Sequence, residues 1–303
     1  MKHYVRVTVG MCVKNAGATI KEAIESIINQ DFPHELMELI VVDGGSRDST
    51  LSIISDYFDK IGMKIKIFHE NKGLGEARQI VVENASGDYI LWVDGDMVLS
   101  GDFVRKQVEF MDQHPNIGIA KGKYMLSHGP NLLATLEIYS RVAAKLSNTS
   151  PEKTRLKALG TSGCIYRVNA IKQAGGFDRN IKGYGEDWDA ECRVKEAGWS
   201  LCTTEVQYRD YERLGITWRE LWLRYWKRGY DMYGVFQKYK REIKLYRMLP
   251  PAAFLSGLFN AILLYKLKKE KIVFLMPLMY TLKTVAWWLG YVRHMRGIML
   301  YGC

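Results

Sequence analysis

Cysteine is scarce in this chain and poorly placed for a structural role. The five thiols, Cys12, Cys164, Cys192, Cys202 and Cys303, are odd in number and widely spaced. With no Cys-x-x-Cys pair and no histidine cluster beside them, they argue against a disulfide framework and against a zinc site. Reduced thiols in a reducing compartment are the expectation. An apolar leader is missing too. The start, Met1-Lys2-His3-Tyr4-Val5-Arg6, runs straight into a strand-like stretch without the apolar segment and small-residue cleavage site of a secretory signal, so the front of the chain is expected in the cytoplasm. Internal repeats and low-complexity linkers are also lacking.

Acidic residues become sparse toward the end. Residues 1–204 hold 25 basic and 26 acidic side chains, whereas 205–303 hold 18 and 7, which confines the whole net charge of +10 to the last third. A neutral front joined to a basic, aromatic and apolar tail speaks against a nucleic-acid binder and for an anionic membrane surface. What is present otherwise is the balance of an ordered protein, 48% hydrophobic with 25% charged.

Along the first 96 residues strand and helix signals alternate, the pattern of a mostly parallel sheet flanked by helices. Val5 to Val13 is β-rich, Ala18 to Asn29 has a helical period, and Leu39 to Val42 is a short buried run ending at Asp43-Gly44-Gly45-Ser46. Ser49 to Phe58 reads as helix, Lys64 to Phe68 as strand, Gly75 to Ala85 as helix and Tyr89 to Val93 as strand. Asp43 and Asp94 therefore lie just past strand carboxyl ends, the edge where open α/β sheets bind ligands. Asp94-Gly95-Asp96 delivers two carboxylates to that edge, a hard-oxygen site able to bridge a divalent cation to phosphate. Further on, Phe103 to Met111 reads as helix, Ile117 to Tyr124 as extended chain, Leu132 to Leu146 as a helix over the active-site face, Asn148 to Lys157 as a mobile loop, and Leu159 to Val168 as strand. A helix through Ala197 ends at Gly198.

Four ordered motifs carry a resemblance. They are Val13-Lys14-Asn15-Ala16; Ile40 through Thr50, with Asp43-Gly44-Gly45-Ser46-Arg47-Asp48; Asn71-Lys72-Gly73-Leu74-Gly75-Glu76-Ala77-Arg78; and Ala85-Ser86-Gly87-Asp88-Tyr89 leading into Asp94-Gly95-Asp96. Together they resemble the nucleotide-binding half of the family 2 glycosyltransferases, the inverting GT-A type. The resemblance continues through Gly160-Thr161-Ser162-Gly163, Gly175-Gly176-Phe177-Asp178 and Gly185-Glu186-Asp187-Trp188, over roughly two thirds of the chain. It implies a GT-A α/β fold and, with the tail, a membrane-associated member like the dolichyl-phosphate-sugar synthases. Expected domains are a catalytic part over 1–204, split at 96 into nucleotide and acceptor halves, and a helical tail over 205–303.

The resemblance also implies roles. Val13, Asn15, Asp43 and Arg78 would line the nucleotide site, with Asp43 accepting hydrogen bonds from the base and Arg78 set near the phosphates or, equally, in a helix-surface salt bridge. Asp94 would reach the ribose or metal, and Asp96 would ligate Mg²⁺ or Mn²⁺, which neutralises the leaving diphosphate. Asp187 is similar to the family's catalytic base, with Glu186, Ser162, Gly163 and Trp188 on the acceptor side. Acidic residues also favour a helix amino terminus, and both readings of Glu186-Asp187 hold together. Cys12-Val13 and Gly44 depart from the usual pattern, and the only histidine after His128 is His294, in the tail. Metal ligation then falls to Asp96, phosphates and water.

In the tail, Thr217-Trp218-Arg219-Glu220 fits a capping box that opens a helix with Trp218, Leu221, Trp222, Tyr225, Tyr233 and Phe236 along one side. Arg224, Lys227 and Arg228 are candidates to meet a lipid phosphate. Ala252 to Tyr265 is too short to span a bilayer. Ile272 to Val292, roughly 31 Å as a helix, is long enough, although Pro277 and Lys283 count against it, and a hairpin or two in-plane helices are alternatives. The expected activity is transfer of a hexose from a UDP- or GDP-sugar to a lipid-linked or glycan acceptor at the cytoplasmic membrane face. A soluble acceptor with the tail as a homo-oligomer interface, or a non-catalytic nucleotide-sugar binder, are the alternatives.

Overall fold

The computed structural model of the chain describes residues 4–57, 62–125, 128–146, 159–210, 216–239 and 249–297. It divides into two compact units, Met1–Met125 with Lys157–Glu212, and Leu126–Leu156 with Arg213–Cys303.

The first unit is built on an eight-stranded sheet. Its strands are β1 (Val7–Val13), β2 (Met37–Asp43), β3 (Lys64–His69), β4 (Tyr89–Trp92), β5 (Met97–Leu99), β6 (Ile117–Tyr124), β7 (Cys164–Arg167) and β8 (Ser200–Asp210), in the order β3-β2-β1-β4-β7-β6-β8-β5. β1 to β4 are mutually parallel, as the alternation of strand and helix signals predicts. The second half is mixed, because β7 runs antiparallel to both β4 and β6, and β5 antiparallel to β8. Every residue of β2 is buried, which is why this strand reads as a continuous apolar run without alternation. Helices α1 (Ile20–Ile28), α2 (Thr50–Ser55), α3 (Leu74–Asn84), α4 (Phe103–Gln113), α6 (Val168–Gln173) and α7 (Glu186–Glu196) belong to this unit. α1 buries Ile20, Ala23, Ile24 and Ile27, the period read from its sequence. At the centre, fully buried Trp92 meets Tyr166 and Phe177 edge-on, at centroid distances of 6.1 and 5.5 Å, the arrangement that ring quadrupoles favour.

The second unit is helical, with α5 (Leu132–Leu146), α8 (Trp218–Lys238), α9 (Pro250–Lys268) and α10 (Met276–Met295). The capping box at Thr217 is formed, Thr217 Oγ1 accepting from the Glu220 amide while the Glu220 carboxylate accepts the Thr217 amide. α8 and α10 cross where Gly229 faces Gly290: a Cβ on Gly229 would lie 1.8 Å from the Trp287 carbonyl oxygen, and one on Gly290 1.9 Å from that of Trp226. Phe236 with Trp287 and Tyr233 with Tyr291 extend the seam as tilted ring pairs.

Three expectations are corrected. The boundary at 204 falls inside β8, whose pairing with β6 and β5 carries the first unit on to Glu212. The strand expected over Leu159 to Val168 begins only at Cys164, because Gly160 and Gly163 take φ values of 75° and 67° and turn the preceding residues into a loop. The helix over Leu132 to Leu146 is present but belongs to the second unit. The loop expected over Asn148 to Lys157 lies outside the described residues.

Gly229→Ala should lower stability by about 1–3 kcal/mol, since the added methyl must push the two helices apart. Urea unfolding followed by tryptophan fluorescence measures this, and an unchanged midpoint would contradict the crossing.

Candidate active site

Strand ends and helix starts converge on a cleft of about 330 Å³ whose lining includes Val13, Lys14, Arg78, Asp94, Asp96, Ser162, Tyr184 and Asp187. Asp94-Gly95-Asp96 forms the turn between β4 and β5, so both carboxylates sit at the carboxyl edge of the central parallel strand. Ser162 Oγ donates a short hydrogen bond to Asp94 Oδ2 and so fixes that carboxylate. Asp94 and Asp96 are hard-oxygen donors of the kind a divalent cation takes. Among the described residues no group of three or more histidine, cysteine, aspartate or glutamate side chains is positioned to hold a metal ion. A cation here would complete its shell with diphosphate oxygens and water, the habit of Mg²⁺.

Arg78 is neither on the surface of α3 nor open to solvent. It is 5% exposed, with its guanidinium 5.0 Å from the centre of the Trp92 ring, Nε donating to Glu186 Oε1 at 2.9 Å and Nη2 3.9 Å from Asp94 Oδ1. Burial works against its charge, but Glu186, Cys12 and Asp94 outweigh that and raise its pKa. The helix-surface salt bridge weighed from the sequence is therefore replaced by a buried tie between α3, the β4 turn and the start of α7.

Asp187 stands in the first turn of α7 and accepts the Trp188 amide at 2.7 Å. The carboxylates on either side of it are buried. Glu186 is held by Arg78, and burial, reinforced by the charge of Asp187, pushes its pKa upward against the pull of that arginine. Glu191, one turn on, accepts the Leu159 amide at 2.8 Å and the Gly160 amide at 2.7 Å, while Lys121 Nζ donates to the Leu159 carbonyl. The loop that presents Thr161 and Ser162 is thus gripped on both sides. Burial first, and Asp187 second, push Glu191 up to about 8.

Not every expected residue reaches the cleft. The Asp43 carboxylate is turned onto its own loop, accepting the Gly45 and Ser46 amides at 3.1 Å, with His69 Nδ1 at 3.5 Å. Burial opposes its ionisation, but the Ser46 and Gly45 bonds prevail and lower its pKa. Asn15, at φ 51°, accepts the Arg47 amide on Oδ1 and so braces the same loop. Trp188 is half-buried, outside the cleft lining. Gly163 has a packing role: a Cβ there would lie 2.6 Å from the Tyr208 ring. Arg224, Lys227 and Arg228 all lie on α8 in the second unit, where Lys227 is exposed and Arg228 stacks over Tyr225 at 5.1 Å. Sequence reasoning missed Lys14, Leu74, Thr161 and Tyr184 in the lining, and Lys121 and Glu191 behind it. Lys14, Leu74 and Thr161 stood inside the quoted motifs, and Tyr184 immediately precedes the last of them. Glu191 carried only the signal of an acidic residue one helical turn after the candidate base.

A folded-state pKa above the unfolded value of 4.5 means that Glu191 holds its proton more tightly in the native state. Its stabilising contribution is full below about pH 4.5 and is lost as pH rises through about 8. The stability of the wild type relative to Glu191→Gln should therefore fall between pH 5 and pH 9, as read from urea midpoints. A difference independent of pH would contradict the buried carboxyl.

With this geometry in view, the sequence model described as glycosyl transferase family 2 matches residues 8–171. The chain is similar to the poly(ribitol-phosphate) beta-N-acetylglucosaminyltransferase TarS of Staphylococcus aureus (strain Mu50 / ATCC 700699), 33% identical over 101 residues, which is 33% of this chain and 18% of TarS. It is also similar to a protein named glycosyltransferase EpsE of Bacillus subtilis (strain 168), 27% identical over 266 residues, 86% of this chain and 81% of EpsE. Among solved structures, the mannosyltransferase PcManGT from Pyrobaculum calidifontis, in complex with GDP-Man and Mn²⁺, superposes with a TM-score of 0.66 at 18% identity, covering 97% of this chain and 88% of that one. That similarity is one of fold, and the fold is GT-A. The chain is an enzyme, a glycosyltransferase, and belongs to glycosyl transferase family 2.

Proposed function

We propose that this glycosyltransferase is inverting and moves a hexose from a nucleotide diphosphate sugar, UDP- or GDP-linked, to a hydroxyl of a glycan or lipid-linked acceptor. One observation carries the reading: a single cleft gathers Asp94 and Asp96 at the end of the central parallel strand and Asp187 at the head of α7. The first pair suits a diphosphate and its cation, and the third suits a proton acceptor.

Asp96, with Asp94, would hold Mg²⁺ or Mn²⁺, which when bound neutralises the charge that grows on the departing diphosphate. Ser162 keeps the Asp94 carboxylate in one orientation. Arg78 places a fixed positive charge 3.9 Å from the same carboxylate, and Glu186 keeps that arginine in position. Asp187 takes the proton of the acceptor hydroxyl as its oxygen attacks the anomeric carbon, on the face opposite the diphosphate, which inverts the configuration. Glu186, Asp189 and Glu191 are already committed to Arg78, to Arg193 and to the 159–160 backbone, so Asp187 is the carboxylate of this helix start that can change protonation without dismantling the site. Val13 and Lys14 would contact the donor from the β1 end, while Asp43 and Asn15 shape the neighbouring loop. Thr161 and Tyr184 line the acceptor side.

The acceptor is placed at the cytoplasmic membrane face, the side where nucleotide sugars are at hand. Among the described residues one helical stretch, Lys271–Met295, is long and apolar enough for a membrane, and the basic residues concentrate in the same part of the chain.

Asp187→Asn should bind donor as the wild type does, seen as an equal rise in melting temperature with UDP-GlcNAc or GDP-mannose plus Mn²⁺. Turnover should drop about 10²- to 10⁴-fold. Near-normal turnover would remove Asp187 from the base role. Asp96→Asn should lose the metal-dependent part of the thermal shift instead, so the two variants separate donor binding from proton transfer.

A further inference from the structure

α9 is apolar around its whole circumference, yet among the described residues one flank of it carries the packing and another is left open. On that flank Gly257 lies against Pro277, where a Cβ would come within 2.6 Å of the proline Cα; Ala261 and Leu264 are fully buried; and Asn260 Nδ2 donates to the Tyr280 hydroxyl at 3.2 Å. The opposite flank is open. Leu255 is 66% and Phe259 61% exposed, joined by Leu258 and Ile262 at the spacing of one helical face. Leu267 near the end of α9, Phe274 and Leu278 are exposed as well, Leu278 at 62%. An exposed apolar helix face of this kind calls for a partner.

Charge identifies the partner. Lys266, Lys269 and Lys271 are exposed beside Leu267 and Phe274. The acidic residue among them, Glu270, is engaged by His128 at 3.1 Å and by the Tyr139 hydroxyl at 2.7 Å. An apolar strip edged by unneutralised lysines matches an anionic lipid surface, with acyl chains for the leucines and phenylalanines and phosphates for the ammonium groups.

α10, the stretch with the length and hydropathy of a span, packs one of its flanks into this unit and leaves Leu278 and Leu289 exposed on another. Met276, Met279, Lys283, Ala286, Trp287, Gly290 and Tyr291 are buried. Lys283 forms an ion pair with Glu137 of α5, lies 3.2 Å from Ser140 Oγ, and sits 5.0 Å from the centre of the Tyr225 ring. The Gly229–Gly290 crossing locks α10 to α8. α8 carries Arg219, Glu220, Arg224, Lys227, Arg228, Asp231 and Lys238, too many charges for hydrocarbon. α10 could not cross a bilayer without drawing α8 in with it.

We propose that the second unit binds an anionic lipid surface from one side. The outer flank of α9, centred on Leu255, Phe259 and Ile262, enters the headgroup and acyl boundary; Lys266, Lys269 and Lys271 meet phosphates; and α10 does not span. This inference rests on the membrane placement proposed above and adds the surface and the mode.

The test is flotation of the full chain with vesicles of phosphatidylcholine, with and without phosphatidylglycerol. The wild type should float with the anionic vesicles, and binding should weaken about fivefold for each of Lys266, Lys269 and Lys271 changed to Gln. Leu255→Glu with Phe259→Glu should abolish flotation while keeping the wild-type melting temperature, because both side chains are solvent-exposed. If that pair fails to fold, Ile262→Glu alone serves in its place. An impermeant thiol reagent added outside sealed vesicles, with labelling mapped by peptide mass, should reach both Lys271→Cys and Met295→Cys. Protection of Met295→Cys, at the far end of the stretch from residue 271, would overturn the one-sided mode. Undiminished flotation of the double variant would overturn the α9 surface and leave the membrane placement standing. Absence of wild-type flotation would remove that placement itself. Concentration-dependent self-association lost in the same double variant, without lipid binding, would assign the face to a second copy instead.

Discussion

A buried guanidinium organises this active site. Arg78 cannot be deprotonated and cannot be left unpaired away from water, so its burial obliges the surrounding elements to supply partners. Glu186 supplies one from the first turn of α7, Asp94 a longer one from the turn after β4, and the face of Trp92 a third from the strand itself. Each comes from a different part of the chain. The consequence is that the carboxylate proposed for the metal and the helix that carries the proposed base are registered against the same rigid fork. Breaking such a tie leaves a buried charge without compensation, a larger penalty than the pair contributes when intact.

A second link runs in parallel. Glu191 accepts the amides at 159 and 160, Lys121 donates to the carbonyl between them, and two residues further on Ser162 donates to Asp94. The α7 start is therefore tied to the Asp94 turn twice, once through Arg78 and once through a loop. Both ties are polar and both run through buried groups, where hydrogen bonds are strong and misplacement is costly. Such a frame suits chemistry in which a proton acceptor and a leaving diphosphate must stay on opposite sides of a sugar ring.

Much of this was legible in the sequence, for reasons that can be stated residue by residue. β1 to β4 and their helices were readable because each strand is short, apolar and stopped by polar turn residues, and because Asp94-Gly95-Asp96 follows an unambiguous strand. β5 and β8 were not, since Met97–Leu99 is only three residues long and Ser200–Asp210 alternates without a strong apolar face. The burial of Arg78 was invisible because its partners lie 16 and 108 positions away in sequence. Asp43 was placed correctly at a strand end, but whether a carboxylate faces a ligand or its own loop depends on the φ of Gly45, which composition does not reveal. In the second unit the capping box was plain, being a local interaction, whereas the apolar period of α10 is shared by bilayer spans and inner helices alike.

The clustering of four carboxylates, Glu186, Asp187, Asp189 and Glu191, in the first two turns of one helix sharpens the choice among them. Asp187 repels both Glu186 and Glu191, and burial penalises the ionised form of those two. A helix amino terminus offsets part of that repulsion, and the remainder is met by giving Glu186 an arginine and Glu191 a pair of amides. Asp187 receives neither and lines the cleft instead, held by the single amide of Trp188. A group that must accept a proton from one substrate and release it after each turnover has to be the least committed member of such a set. The two neighbours, whose burial favours their protonated forms, stay fixed in their partnerships while it exchanges its proton.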